Sequence, residues 1–350
     1  MASTKISYLD KKVYIGIDVH KETYSVTCIC DDLIVKKAAS IPANPAEFAQ
    51  SLLHWFKGAK ICSAYEAGFS GFCLHRELLK AGIENIVVNA ASIAIAANDK
   101  VKTDLRDSKK IAEQLSTGRL KGIFIPNEVE ETKRTLTRTR EQVVENRSII
   151  ARQIKSKLYY FGMMARDDKR QITNRYLKEI EARDLPFEVG VAFKTLIDLW
   201  RFLTRQLIDL RKALQKQADS DQKLESVYRS VPGVGLITSR TLANELGDLS
   251  RFKNERALFN YTGLTPSEYS SGEKVRRGHI SRQGSARIRW LLIEATWRAV
   301  SKDAALKEAF ERIAKSRGKK RAIVGIARKL IGRIRACFRT GKEYAVGIYA

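Results

Sequence analysis

An α/β domain followed by a longer, almost wholly helical region is the fold class that the sequence predicts, on three observations. Residues 12–126 alternate short β-branched runs with amphipathic helical stretches. Residues 127–224 keep apolar side chains at heptad spacing, and residues 225–350 are helical and basic, broken by one glycine- and serine-rich loop.

The elements follow in order. Residues 13–18 form a β-branched run, and residues 24–30 and 33–35 continue it as antiparallel neighbours across short turns. Asn44 caps a helix running to about Lys57, residues 61–66 make the next strand, and residues 72–80 an amphipathic helix stopped by Gly82. Residues 86–88 add a strand, and residues 104–115 a helix with Asp104 and Asp107 in its first turn, where carboxylates suit the helix dipole. The order β-β-β-α-β-α-β-α is what an RNase H-like domain would show. Further on, Val189, Phe193, Leu196, Trp200, Leu203, Leu207, Leu210 and Leu214 alternate spacings of four and three, which predicts a coiled coil or a helical hairpin. The partner is either the helix of about 129–161, with Leu136, Val143 and Ile150 every seven residues, or the same helix of a second subunit.

Charge narrows the function classes. The 350 residues carry 64 Lys and Arg against 39 Asp and Glu, a net +25. The excess is concentrated at the end, with 24 basic and 8 acidic side chains in residues 251–350 against 17 and 15 in residues 1–130. Such a field attracts polyanions, and without an apolar Trp- and Leu-rich face beside a basic stripe it points to nucleic acid rather than a membrane surface. No apolar run approaches the roughly 20 residues of a membrane helix, and nothing at the N-terminus reads as a signal peptide, so a cytoplasmic protein is expected. The five cysteines are odd in number and lack paired CxxC spacing, which argues against a disulfide framework or a zinc site.

Four carboxylates carry the chemistry. Asp18 and Glu66 end strands, while Asp104 and Asp107 share one helical face. Each alone reads as an ordinary cap or solvated acid. Brought together by an RNase H-like sheet, they would repel strongly without divalent cations, and two Mg²⁺ ions about 4 Å apart would clamp a phosphodiester. Val231-Pro232-Gly233-Val234-Gly235, before a helix, resembles a helix-hairpin-helix turn, in which Gly233 and Gly235 would let backbone N–H groups approach a phosphate; a tight turn without ligand is the alternative. The loop of residues 261–272 runs into Arg276, Arg277 and Arg282, guanidiniums that could hold a phosphate beside an exposed serine. Arg287, Arg289, Lys319, Lys320 and Arg321 extend this basic face, and Trp290, Leu291, Ile293 and Trp297 are expected to build core.

Tyr14-Ile15-Gly16-Ile17-Asp18, Tyr65-Glu66-Ala67-Gly68, Lys102-Thr103-Asp104-Leu105-Arg106-Asp107, Val231-Pro232-Gly233-Val234-Gly235, and Gly263-Leu264-Thr265-Pro266 through Ser271-Gly272 resemble, in order and approximate spacing, the DEDD transposases of the insertion-sequence 110 family. The resemblance covers nearly the whole chain. It implies a RuvC-like domain over residues 12–126, a coiled-coil region over 127–224 and a C-terminal transposase domain over 225–350. It further implies that Asp18, Glu66, Asp104 and Asp107 hold Mg²⁺, or Mn²⁺ in its place, and that Ser271 is the nucleophile, forming a phosphoserine link to DNA. Ser270 sits beside it, and Ser271 is chosen because it precedes glycine. Implied partners are donor and target DNA, a structured noncoding guide RNA and further copies of the chain, in a bacterial or archaeal cytoplasm. A junction resolvase-like nuclease using the carboxylates and water, a related DNA invertase, and a non-catalytic nucleic-acid-binding protein are the competing readings.

Overall fold

Residues 7–94, 103–165, 167–269, 271, 276–281 and 283–347 are described by the structure, a computed structural model. The chain divides into two compact units, residues 1–126 and 127–350. In the first, β1 (Lys12–Val19), β2 (Thr23–Cys30), β3 (Leu33–Pro42), α1 (Pro45–Trp55), β4 (Lys60–Glu66), α2 (Cys73–Lys80), β5 (Glu84–Val88) and α3 (Asp104–Ser116) follow one another. The sheet order is β3-β2-β1-β4-β5. β1 to β3 are antiparallel and β1, β4 and β5 parallel, consistent with the RNase H-like domain expected. Asp31 and Asp32, both at positive φ (48° and 60°), make the two-residue turn between β2 and β3, a conformation short polar side chains tolerate best after glycine.

Strand alternation sorts the sheet's two faces. Val13, Ile15, Ile17, Tyr65 and Val87 are buried in one cluster with Phe48 and Leu52 of α1 and Leu74 and Leu78 of α2. Ala64 and Val88 face the other way, against Ile111 of α3. Each fully buried aliphatic or aromatic side chain here contributes about 1.5–3 kcal/mol, so the sheet is a firm platform for whatever its strand ends carry.

The second unit opens with α4 (Glu128–Tyr160), started by a capping box between Asn127 and Glu130, then α5 (Asn174–Glu181) and α6 (Phe187–Ser220). Lys133 meets Asp221 at 3.3 Å and the Arg147 guanidinium lies 5.5 Å from the Trp200 ring, so α4 and α6 run antiparallel. The heptad seam of α6 therefore has its partner within the chain. Phe193 and Trp200 are buried with Ile150, Ile154 and Leu158 of α4 and with Tyr176, Leu177 and Ile180 of α5.

There follow α7 (Gln222–Arg229), α8 (Leu236–Leu246), α9 (Glu255–Thr262), a hairpin of β6 (Pro266–Glu268) and β7 (Arg277–Ile280), and then α10 (Ala286–Val300), α11 (Ala304–Arg317) and α12 (Lys319–Thr340). Leu242, Leu258, Leu292, Leu306, Ile326 and Leu330 belong to their common core. Arg240 is wholly buried on α8, its Nε 2.5 Å from Glu225 and Nη1 3.4 Å from Asp221. The expectation that Trp290 and Trp297 build core is corrected: they are 64% and 42% exposed. The buried face of α10 is made by Ile288, Leu291, Leu292, Ala295 and Ala299, and the two tryptophans, seven residues apart, share the outward face. Among the described residues no helix is long and apolar enough to cross a membrane, and all five cysteines are free.

Candidate active site

Asp18 and Asp104 are brought together through a close approach of helix to sheet. Gly16 lies opposite Ala64 of β4 and Thr27 of β2. A Cβ at Gly16 would overlap the Ser108 carbonyl oxygen and the Ala112 nitrogen, so α3 rests directly on the β1 backbone. The Thr27 and Ser108 hydroxyls, both buried, bond at 2.9 Å and fix the helix along its axis. Asp18 is two residues after Gly16 on the same strand face, and Asp104 one helical turn before Ser108, so the contact that seats the helix also brings these acids together.

His20 completes the group. Its Nε2 is 3.2 Å from Asp18 Oδ2 and 3.2 Å from Asp104 Oδ2. Its main-chain N–H donates to the Thr23 carbonyl at 2.9 Å, which pins the residue in the β1–β2 connection. Asp18, His20 and Asp104 offer three donor atoms within 4.8 Å of one another, a set able to hold a metal ion. Burial pushes the Asp18 carboxyl above the usual range; the charges of Asp104 and Asp107 push the same way and His20 opposes them. Asp107 has Lys110 at 3.2 Å. Because β1 and β4 are parallel with Ile17 opposite Tyr65, Asp18 and Glu66 end adjacent strands on one face, and Glu66 is exposed there. Hard oxygen donors grouped at a strand end fit a divalent cation, and like charges this close favour one.

In the second unit, Ser271 is exposed in the connection between β6 and β7, while Ser270, Gly272 and Arg282 lie outside the described residues. The hairpin is held by Glu268 opposite Arg277 and by the Tyr269 N–H donating to the Arg276 carbonyl at 2.8 Å. A groove of about 690 Å³ runs from this hairpin to the α11–α12 turn. Arg317, Lys319, Lys320, Arg321 and Arg328 line it, and no carboxylate does among the described residues. Lys319, Lys320 and Arg321 are exposed and form the first turn of α12, where N–H groups add to their positive field.

Other nucleic-acid candidates are placed differently. Arg287 pairs with Glu141 and, at 3.4 Å, with Glu245. Glu245 also accepts a forked pair from Arg138 at 2.8 and 2.9 Å. Arg289 lies against Gly263, whose φ of +68° ends α9. Gly233, at φ +82°, packs where a Cβ would overlap the Arg298 side chain, so its lack of a side chain serves helix packing. Gly235 precedes α8 with open space around it. Arg276 is exposed.

Sequence reasoning missed His20 and the contacts that carry the cluster. Its signal was alternation: His20 is two residues beyond Asp18, on the same side if the strand direction persists. Gly16, Thr27 and Ser108 had no local signal, since each matters only through the helix–sheet distance.

Comparison with known proteins fits both regions. A DEDD-type family profile described as transposase matches residues 15–161, and the profile of the IS116/IS110/IS902 transposase family matches residues 225–311. A Sinorhizobium fredii protein named as transposase y4qE is 31% identical over 233 residues, 67% of this chain and 57% of its own length. A family 20 transposase of Pseudomonas aeruginosa is 26% identical over 195 residues, 55% of this chain and 57% of its own. The chain thus spans a little over half the length of these two relatives. The transposase for insertion sequence element IS1533 of Leptospira borgpetersenii is 28% identical over 306 residues, 83% of this chain and 86% of its own. One profile lies on the sheet that carries the carboxylates and the other on the helices around the glycine turn and the serine hairpin, and together they show that this chain carries the transposase domains of the IS110 family.

Proposed function

We propose that the protein cuts and rejoins DNA as the transposase of an insertion sequence, guided by a structured RNA, with Ser271 as nucleophile and Asp18, Glu66, Asp104 and Asp107 as the metal-holding residues. The observation that carries the reading is the convergence of Asp18 and Asp104 on one point with no Lys or Arg paired to either among the described residues. Divalent ions bound there would neutralise phosphate charge and lower the barrier to displacement at phosphorus.

The protein's own groups supply the rest. The Ser271 hydroxyl forms a bond to phosphorus, one deoxyribose P–O bond breaks, and the departing oxygen takes up the proton. One phosphodiester replaces another, so the link keeps its bond energy and rejoining needs no added cofactor. Hydrolysis by water would lose it. The cation-lined groove at the α11–α12 turn holds backbone phosphates without reading bases, which suits a protein whose sequence choice is delegated to base pairing. Gly235 and the start of α8 offer a second phosphate contact.

The test incubates the full chain, with the RNA that copurifies with it, with DNA spanning the element's ends. A protein–DNA adduct that survives denaturant is expected, absent in Ser271→Ala and reduced at least about 100-fold in Asp104→Asn, a loss of about 2.7 kcal/mol of transition-state stabilisation. Free hydrolysed ends without an adduct would replace this mechanism with a resolvase-like nuclease. Full strand exchange by Ser271→Ala would remove the serine from it.

A further inference from the structure

His20 is not among the four residues proposed to hold metal, yet its imidazole is the group through which two of the acids meet. Nε2 stands at the same distance, 3.2 Å, from an oxygen of Asp18 and an oxygen of Asp104. Nε2 is within hydrogen-bonding distance of Asp18 Oδ2, but a single ring nitrogen carries at most one hydrogen, which cannot point along both lines, so a hydrogen bond accounts for one of the two contacts and not for both. The spacing has another explanation. Two ligands at right angles on an octahedral ion, each about 2.1 Å from it, lie about 3 Å apart. Nε2 with either oxygen matches such a pair.

The backbone at His20 and Asp104 is also held in place. Hydrogen bonding of the His20 main-chain N–H to the Thr23 carbonyl fixes it at the end of β1, while Thr103 caps α3 through the Arg106 N–H and so fixes the turn that carries Asp104. The imidazole is 46% exposed, so nothing in the packing of the core requires a histidine there. Resting on the reading of the carboxylates as a metal centre, we propose that His20 Nε2 is a direct ligand of the divalent ion held by Asp18 and Asp104. A nitrogen donor in an otherwise all-oxygen set shifts preference from Mg²⁺ towards Mn²⁺ and other transition dications, because imidazole is the softer ligand.

Mn²⁺ itself is the probe, added to the full-length protein without nucleic acid, with its binding followed by calorimetry and its ligands by pulsed electron paramagnetic resonance. Bound Mn²⁺ is expected to show nitrogen hyperfine coupling. In His20→Gln the coupling disappears while Mn²⁺ still binds, about tenfold or more weakly, and the preference for Mn²⁺ over Mg²⁺ narrows. The chain has four histidines, so the variant assigns the signal. In Asp18→Asn both binding and coupling are lost. Mn²⁺ bound to the native protein without nitrogen coupling, or coupling that persists in His20→Gln, overturns the assignment of His20 and leaves the carboxylate centre standing. No Mn²⁺ binding at all would overturn both.

Discussion

Carboxylates are treated in opposite ways by the two units. In residues 127–350 the inward-facing acids are matched to guanidiniums: Glu245 to Arg138 and Arg287, Glu225 and Asp221 to Arg240, and Asp303 to Arg333 at 3.2 Å. In residues 1–126, Asp18 and Asp104 face one another through a histidine and are paired with no Lys or Arg among the described residues. Matched pairs satisfy the cost of burial internally, and their removal is felt as lost stability. Acids gathered without a matching cation raise the free energy of the folded chain until something positive arrives from outside, and that asymmetry is what the proposed metal site rests on.

The sharpest test of the contrast is Arg240→Ala. Taking away a wholly buried guanidinium leaves Glu225 to Arg229 at 3.8 Å and Asp221 to Lys133 at 3.3 Å, both cations on the surface side, and a loss of about 3–5 kcal/mol is expected by urea unfolding. A loss under about 1 kcal/mol would mean that the helical unit does not depend on its matched charges. Gly16→Ala comes next. The added methyl pushes α3 off β1, which should cost about 1–3 kcal/mol and abolish Mn²⁺ binding although every acid is still present. Unchanged Mn²⁺ affinity would show that helix seating does not position the acids. The smallest effect on stability belongs to Lys319, Lys320 and Arg321 replaced together by Ala, within about 0.5 kcal/mol because all three are exposed. Nucleic-acid affinity should nonetheless fall, and the slope of log K against log salt should flatten by about 2–3, at roughly 0.7–0.9 for each phosphate no longer neutralised. An unaltered slope would place the polyanion elsewhere.

Much of this arrangement is legible in the sequence, and the boundary has a physical reason. Local signals marked the elements: Asn44 and Asn127 cap helices, Asp31-Asp32 turns a hairpin, and strand alternation sends Ile17 and Asp18 to opposite faces. The sheet that brings Asp18 beside Glu66 then follows from element order. His20 carried the signal of strand alternation two residues beyond Asp18, whereas Thr27 and Ser108 were invisible because their parts depend on how near α3 comes to β1, a distance set by tertiary packing. The surroundings of Arg287 were hidden for the same reason. Composition records a cation, and only the fold reveals that Glu141 and Glu245, 146 and 42 residues away, neutralise it. Trp290 and Trp297 show the converse error, since large apolar side chains were assigned inward by type when helical phase turns them out.

The seating of α3 on Gly16 also bears on engineering. A designer wishing to graft such a centre onto another α/β scaffold would gain little by copying four acids at their positions, because in a host with an ordinary side chain at the glycine the helix would ride higher and the acids would miss one another. The transferable part is a two-stranded address: Gly-x-Asp on the strand, with Asp-x-x-Asp-Ser-x-x-x-Ala on the helix that lies over it, closed by a threonine on the neighbouring strand that receives the serine.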